Sequence, residues 1–412
     1  MATVNVIVNK ALCCGCGACA KTCPTKSIQY VRNVAGYIVP EVASSCVDCG
    51  LCLKVCPSNA MKATMDSVDG DPFVGNCING YIGCALDKNL RIAGQSGGVV
   101  SAFLLWLLKT GKIDGAIVNQ FNKITKRNEA VYVDTEEGIL SGCGSYYAQS
   151  TVVDTVLSNK DKRLAVVAIG CQTLALEKLK RTDRLLRENL LVLGLICGGN
   201  YSGDYIKDLI SLAGGGRCDK VDGFRFRFKE HGGWPGNVCV WFEDSAVTLP
   251  SARRIERKEL YLVPRCQVCF DRMNVFSDIV FGDPWGINWV DNGFGNTVAI
   301  TRTGRGDGLF SNFISSGVVA MDRISPEDIN KGQRVNEVTR ANFYSCEREN
   351  RFDKTSRLML AKSEDEVNAM RNEILRCVLR MRRKKNFLFL LSKMIKPVWL
   401  VYHYVKKRFS YV

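Results

Sequence analysis

Cys13-x2-Cys16-x2-Cys19-x3-Cys23-Pro24 is followed, 33 residues on, by Cys46-x2-Cys49-x2-Cys52-x3-Cys56-Pro57. This duplicated spacing is the one that holds two [4Fe-4S] cubanes. Three cysteines on one tight loop face three irons of a cubane, and the fourth, before proline, points away to the other cubane. One cluster is expected on Cys13, Cys16, Cys19 and Cys56, and the other on Cys46, Cys49, Cys52 and Cys23. Gly15, Gly17 and Gly50 let the backbone run close to inorganic sulfide. Cys14 is left over and reads as a bystander. Zinc knuckles fit less well, because they usually include His or stop at two-by-two spacing.

The chain has 412 residues and 20 cysteines, with no leader-like pattern in residues 1–10. Cysteine arranged for metal points to a reducing, cytoplasmic setting rather than a disulfide framework. Two histidines, His231 and His403, leave little room for histidine-rich metal sites or a histidine-based hydrolase. The net charge of +15 is concentrated at one end: eleven Lys or Arg and no acid follow from Arg376 onward. The body is close to balanced, which gives no sign of nucleic-acid binding.

Residues 1–10 alternate weakly and suggest an edge strand. Residues 27–30 and 37–39 suggest a hairpin between the two cysteine runs. Residues 66–71 read as a linker, and 73–93 as a helix carrying Cys77 and Cys84. Gln95-Ser96-Gly97-Gly98 then opens a buried helix, and such an N-terminus can receive an anion. Apolar strands at 164–169 and 190–196 each run into a cysteine, Cys171 and Cys197, where open α/β sheets collect ligands. Phe224, Phe226 and Phe228 alternate with Arg225, Arg227 and Lys229, which predicts antiparallel strands with a basic, solvated face. Cys266-x2-Cys269 follows, and 277–281 is a strand that ends in a sharp turn, Gly282-Asp283-Pro284-Trp285-Gly286. A capping-box pattern at Ser363-Glu364-Asp365-Glu366 starts a long basic helix. Lys393 and Lys396-Pro397 interrupt the apolar stretch near its end, which is too short and too charged to span a bilayer. Its mixture of basic, Trp and Tyr residues suits a lipid surface, a protein partner or a disordered basic tail.

The ordered set of motifs over residues 1–302 resembles the beta subunit family of coenzyme F420 hydrogenases and dehydrogenases, behind a two-cluster bacterial ferredoxin module. The matching pieces are the twin cysteine runs, Gln95–Ser101, Ile113–Ala116, Gly144–Ser150, Gly170-Cys171-Gln172, Leu195–Gly199, Cys266-x2-Cys269 and Ser277–Gly286. The resemblance implies an α+β chain in three parts. These are a small ferredoxin-like module at 1–65, a mixed α/β flavin and iron–sulfur domain at 73–345, and a helical, basic extension at 355–412. It implies a third [4Fe-4S] cluster on Cys171, Cys197, Cys266 and Cys269. It also implies FAD near Gln95, Ser96, Gly97, Gly98, Ser145, Tyr146, Asp283, Trp285 and Gly286. The sequence departs from the family at Gly170, where Pro is usual, and at Cys197-Gly198-Gly199, which lacks a His.

The implied function is an iron–sulfur flavoprotein oxidoreductase that passes electrons between cubanes and a hydride substrate. That substrate would be coenzyme F420 or an organic molecule of surface-polysaccharide metabolism. A redox partner protein, either ferredoxin or a dehydrogenase or hydrogenase subunit, and a peripheral membrane contact at the inner face belong to the same expectation. His231 and Tyr146, or its neighbour Tyr147, are the candidates if a proton is needed. Two alternatives remain: an electron-transfer subunit with no substrate site of its own, and a cluster protein that senses redox state.

Overall fold

The computed structural model describes residues 3–215, 217–230, 232–289, 293–341, 343–344 and 358–394, without the side chains of 218 and 382–394. His231, His403 and the aromatic run near the C-terminus lie outside the described residues.

The first sixty residues form two cysteine loops around a hairpin of β1 (Ile28–Arg32) and β2 (Ile38–Val42). Residues 5–9 are a short helix, Asn5–Asn9, and not an edge strand. Ile7 and Val4 are buried against Cys19, Cys52 and Cys56, so this apolar pair covers the cysteine loops instead of extending the hairpin.

The main domain adds β3 (Asn79–Ala85), β4 (Gly115–Asn122), β5 (Arg127–Val133), β6 (Leu164–Ile169) and β7 (Leu190–Leu195). A separate antiparallel ribbon is made by β8 (Val221–Phe228), β9 (Asn237–Phe242) and β10 (Ala246–Leu249). β11 (Ile279–Gly282), β12 (Thr297–Thr301) and β13 (Val319–Arg323) return to the main sheet, whose order is β13-β3-β12-β11-β7-β6-β4-β5.

β11, β7, β6 and β4 run parallel to one another in the middle of this sheet. Their near-continuous apolar sequences suit strands covered on both faces. One face carries the helices Val99–Lys109 and Gly304–Ser315, with Phe103, Phe310 and Phe313 in edge and tilted contacts. The other carries Val152–Leu157 and Gly170–Lys180, and Cys14 and Cys16 of the first cysteine loop pack into that same cluster.

The segment read as one helix over 73–93 is a strand followed by the helix Lys88–Ala93. A Cβ on Gly83 would stand 1.9 Å from the Ala320 carbonyl oxygen, and one on Gly80 would stand 2.4 Å from that of Ile324. The glycines that weakened the strand pattern are therefore what lets β13 and the turn after it lie against β3.

The C-terminal helix, Glu364–Met394, begins on the ferredoxin hairpin. Leu358, Met359 and Val367 are buried with Ala35, Tyr37 and Val263. Asn33 Nδ2 donates to the Met359 carbonyl at 2.6 Å. Arg371 donates to the Ala35 carbonyl at 3.0 Å, pairs with Asp204 at 3.3 Å and lies over the Tyr261 ring at 4.4 Å. Among the described residues, no helix is long and apolar enough to cross a membrane.

Candidate redox site

In the ferredoxin region Cys56 lies with Cys13, Cys16 and Cys19, while Cys23 shares a small hollow with Cys46, Cys49 and Cys52. Among the described residues no cysteine is in a disulfide. Burial pushes Cys19 up to about 12 and Cys56 up to about 11. Thiols raised in this way become thiolates, the form that binds iron, once a metal supplies positive charge. The donor set therefore fits cubanes. Among the described residues no group of three or more His, Cys, Asp or Glu side chains is placed to hold a metal ion, so the fit rests on the number, spacing and chemistry of the cysteines.

Two of the loop glycines serve a purpose the spacing did not reveal. A Cβ on Gly15 would stand 2.7 Å from Gln149 Nε2, and one on Gly17 would meet Thr151 and Asp154 at 3.0 Å. Both have positive φ, 69° and 93°. They let the first loop lie against residues 149–154, where Val153 N donates to the Cys16 carbonyl and Ile38 N donates to Gln149 Oε1, both at 3.0 Å. Cys14 is no bystander in this packing. It is buried in one cluster with Cys16 and Cys171, and its interaction with them holds Cys14 low and, together with burial, pushes Cys16 and Cys171 up.

The main sheet brings the other cysteines together. β6 ends at Ile169, β7 at Leu195 and β11 at Gly282, all at the same edge because the three run parallel. Cys171 therefore starts a helix at that edge, and Cys197 and Asp283 follow their strands by one or two residues. The 3-10 turn Pro264–Val268 and Cys269 close over the same edge. Cys266 interacts electrostatically with Cys171, Cys197 and Cys269, and burial raises Cys197 to about 11. All four expected inner ligands lie in one neighbourhood, beside Cys14.

A cavity of about 570 Å³ opens at the carboxyl edge of these strands. Gln95, Ser96, Gly98, Ser145, Tyr146, Asp283 and Trp285 line it, and so does Cys197. Gly97 and Gly286 do not line it. Gly97 packs on Cys84 and Asn296, and Gly286 packs on the Gly332 backbone. Asp283 is engaged inside the protein: Ser96 and Trp234 Nε1 donate to one oxygen, and Arg227 Nη1 donates to the other at 2.7 Å. Tyr146 donates to the Ser141 and Cys143 carbonyls at 3.1 and 3.3 Å, and burial raises it to about 12.

The basic stripe on β8 is not a solvated face. Arg227 is 8% exposed and Lys229 2%. Lys229 Nζ donates to the carbonyls of Arg91, Gln95 and Phe294, tying the glycine turn to the ribbon. Burial works against the Arg227 charge, and the Tyr147 hydroxyl and Asp283 carboxylate more than offset it.

Models of two parts of one family match the main domain. The coenzyme F420 hydrogenase/dehydrogenase beta subunit N-term model matches residues 81–157, and the corresponding C-terminus model matches 161–327, together more than half of the chain. The chain belongs to the coenzyme F420 hydrogenase/dehydrogenase beta-subunit family. A 4Fe-4S dicluster domain matches residues 12–61, so this member is an iron–sulfur protein. It is similar to the coenzyme F420 hydrogenase subunit beta of Methanothermobacter thermautotrophicus, at 24% identity over 56% of this chain and 79% of that one. It is also similar to the coenzyme F420-dependent sulfite reductase of Methanocaldococcus jannaschii, at 26% identity over 58% of this chain but only 37% of that one. In fold it matches a chain of the F420-reducing [NiFe] hydrogenase complex from Methanosarcina barkeri, with a TM-score of 0.52 and 21% identity over 68% of this chain and 95% of that one.

The structure explains one departure from the family pattern. A Cβ on Gly170 would lie 2.3 Å from the Asp271 carbonyl oxygen, so this member has room for glycine only. At Gly198 a Cβ would meet nothing within 4 Å, so that wall of the cavity is open. Gly170→Ala is expected to destabilise the chain by about 1–3 kcal/mol through overpacking. It should also disturb Cys269, two residues before Asp271. Thermal melting and iron content check this, with Gly198→Ala as a matched substitution that should change neither.

Proposed function

We propose that this chain is an iron–sulfur flavoprotein oxidoreductase. In this reading FAD occupies the 570 Å³ cavity, and a third [4Fe-4S] cluster sits on Cys171, Cys197, Cys266 and Cys269. The observation that carries the reading is that Cys197 belongs to the inner cysteine group and also lines the cavity. A cluster held there would share a wall with whatever the cavity binds.

The cavity fits a large polar cofactor. Gly98, at φ 75°, starts the helix Val99–Lys109 with no side-chain cap, leaving first-turn amides free for an anion. Gln95 Oε1 and Arg227 Nη2 are buried and have no partner among the described residues. Flavin, when bound, exchanges electrons singly with clusters and in pairs with a hydride donor or acceptor. The protein's own contribution is positional. Arg227 and Asp283 fix the cavity floor, Lys229 holds the glycine turn closed, and the partly exposed Trp285 stands at 4.7 Å from Trp234. Tyr146 spends its hydroxyl proton on the Ser141 and Cys143 carbonyls, whereas Tyr147 accepts from Arg227 and keeps its own proton, which makes it the better placed of the two if the reaction needs an acid.

The substrate is coenzyme F420 or an organic hydride acceptor, and a second redox protein meets the chain at the outer cysteine loops. The full chain, purified anaerobically, should carry about one FAD and roughly twelve irons, from three cubanes. F420H2, reduced ferredoxin and NAD(P)H, added one at a time, identify the donor by bleaching of the flavin absorbance. About eight irons and no flavin would sink the reading in favour of a plain electron-transfer subunit.

A further inference from the structure

Arg265 is 2% exposed, which is rare for a guanidinium. Its described partners are neutral or sulfur: Nε donates to Ser58 Oγ at 2.8 Å, Nη2 to the Pro57 carbonyl at 3.4 Å and Nη1 to Cys269 Sγ at 3.5 Å. None is a carboxylate. A buried charge with no carboxylate in hydrogen-bond contact costs several kcal/mol. The groups that face it electrostatically are Cys269, Cys171, Cys14 and Cys266, with Cys56 on the ferredoxin side and the buried Asp271 carboxylate, which also faces Arg302, outside hydrogen-bond reach. Lys178 approaches the same place, but its ammonium is held by the Cys56 and Asn59 carbonyls. The arginine thus spans the seam between the two halves of the molecule. One side of its fork holds Pro57-Ser58, next to Cys56, and the other holds the C-x2-C motif.

We propose that Arg265 is a positioning residue for electron flow. It is a fixed positive charge between the inner cluster and the ferredoxin cluster of Cys13, Cys16, Cys19 and Cys56, and it raises the reduction potential of both. The proposal rests on the three-cluster reading above. Taking up one electron adds a negative unit to a cubane that its four thiolates already make anionic. A nearby cation in a medium of low polarity therefore favours the reduced form over the oxidised one. The hydrogen bond to Cys269 sulfur acts in the same direction. The cluster of Cys46, Cys49, Cys52 and Cys23 lies across the module and should feel this charge least. Electrons entering there would run downhill towards the seam.

The test is an EPR-monitored redox titration of the anaerobically reconstituted full chain, with iron counted in each sample. Arg265→Gln and Arg265→Met remove the charge, and Arg265→Lys keeps it. In the two neutral variants the reduced-to-oxidised ratio of two of the three clusters should fall at least about tenfold at a fixed potential, equivalent to about 59 mV for a one-electron couple. The third cluster should not move, and Arg265→Lys should stay near the parent. Loss of the inner irons in both neutral variants, with full iron in Arg265→Lys, is the same charge dependence in stronger form and supports the proposal. Full iron with unchanged potentials in a neutral variant overturns it. Loss of iron in all three variants also overturns it, because the fork would then be purely structural. A parent chain with about eight irons and two cluster signals removes the inner cluster, and the proposal fails with the reading on which it rests.

Discussion

Serine in place of Cys266 should lower the iron content of the anaerobically reconstituted chain from about twelve atoms to about eight, the loss of one cubane. Cys266 approaches Cys171, Cys197 and Cys269, and its sulfur accepts the Asn200 amide at 3.4 Å. Serine preserves volume but is a poor ligand for iron, so the expected loss is local. The two ferredoxin clusters should remain, because Cys13–Cys56 supply all eight of their expected ligands. Electrons should then still enter the chain, but flavin reduction by reduced ferredoxin should fall by orders of magnitude while reduction by a hydride donor survives. Cys377→Ser, on the C-terminal helix, should leave both quantities at parent values. Twelve irons in the Cys266→Ser chain would exclude Cys266 from the inner cluster.

The second large effect belongs to Asp283. Its pair with Arg227 is buried, with side-chain exposures of 10% and 5%. Removing one partner of such a pair costs about 3–5 kcal/mol, chiefly because the remaining charge is stranded. Asp283→Ala also leaves Ser96 and Trp234 without their acceptor. The damage should concentrate where those side chains originate. Amide exchange at residues 95–101 and 227–235 should rise more than about 100-fold, since each 1.4 kcal/mol is a factor of ten. Flavin should be lost from the same chain while iron is retained. Asp283→Leu combined with Arg227→Met should recover part of the stability, because an apolar pair replaces the stranded charge. Unchanged exchange at 95–101 would show that Asp283 does not organise the glycine turn.

Much of the site could be read from local sequence, because cysteine spacing and strand-end position are local properties. The twin runs, the hairpin between them, and the strands leading to Cys171 and Cys197 all needed only short windows. The failures have one physical cause, which is a partner far away in sequence. Arg227 and Lys229 look like a wet face until Asp283 and the carbonyls of Arg91, Gln95 and Phe294 are placed against them. Gly80 and Gly83 look like strand breakers until β13 is laid beside them. Cys14 looks superfluous because Cys171 is more than 150 residues away. Arg265 drew no notice because nothing beside it in sequence reveals that Ser58 lies at 2.8 Å. The short strand Val319–Arg323 escaped for lack of an apolar run, as edge strands often do.

The grip of Met359 and Arg371 on Asn33 and Ala35 has a consequence for the order of events during synthesis. The hairpin that separates the cysteine loops is held by residues made more than 300 positions later. At about 5–20 residues per second, translation of that interval takes on the order of 15–65 s. Until then the hairpin between the cysteine loops must hold its shape on contacts made by earlier residues alone, and the late helix adds the last of its side-chain anchors.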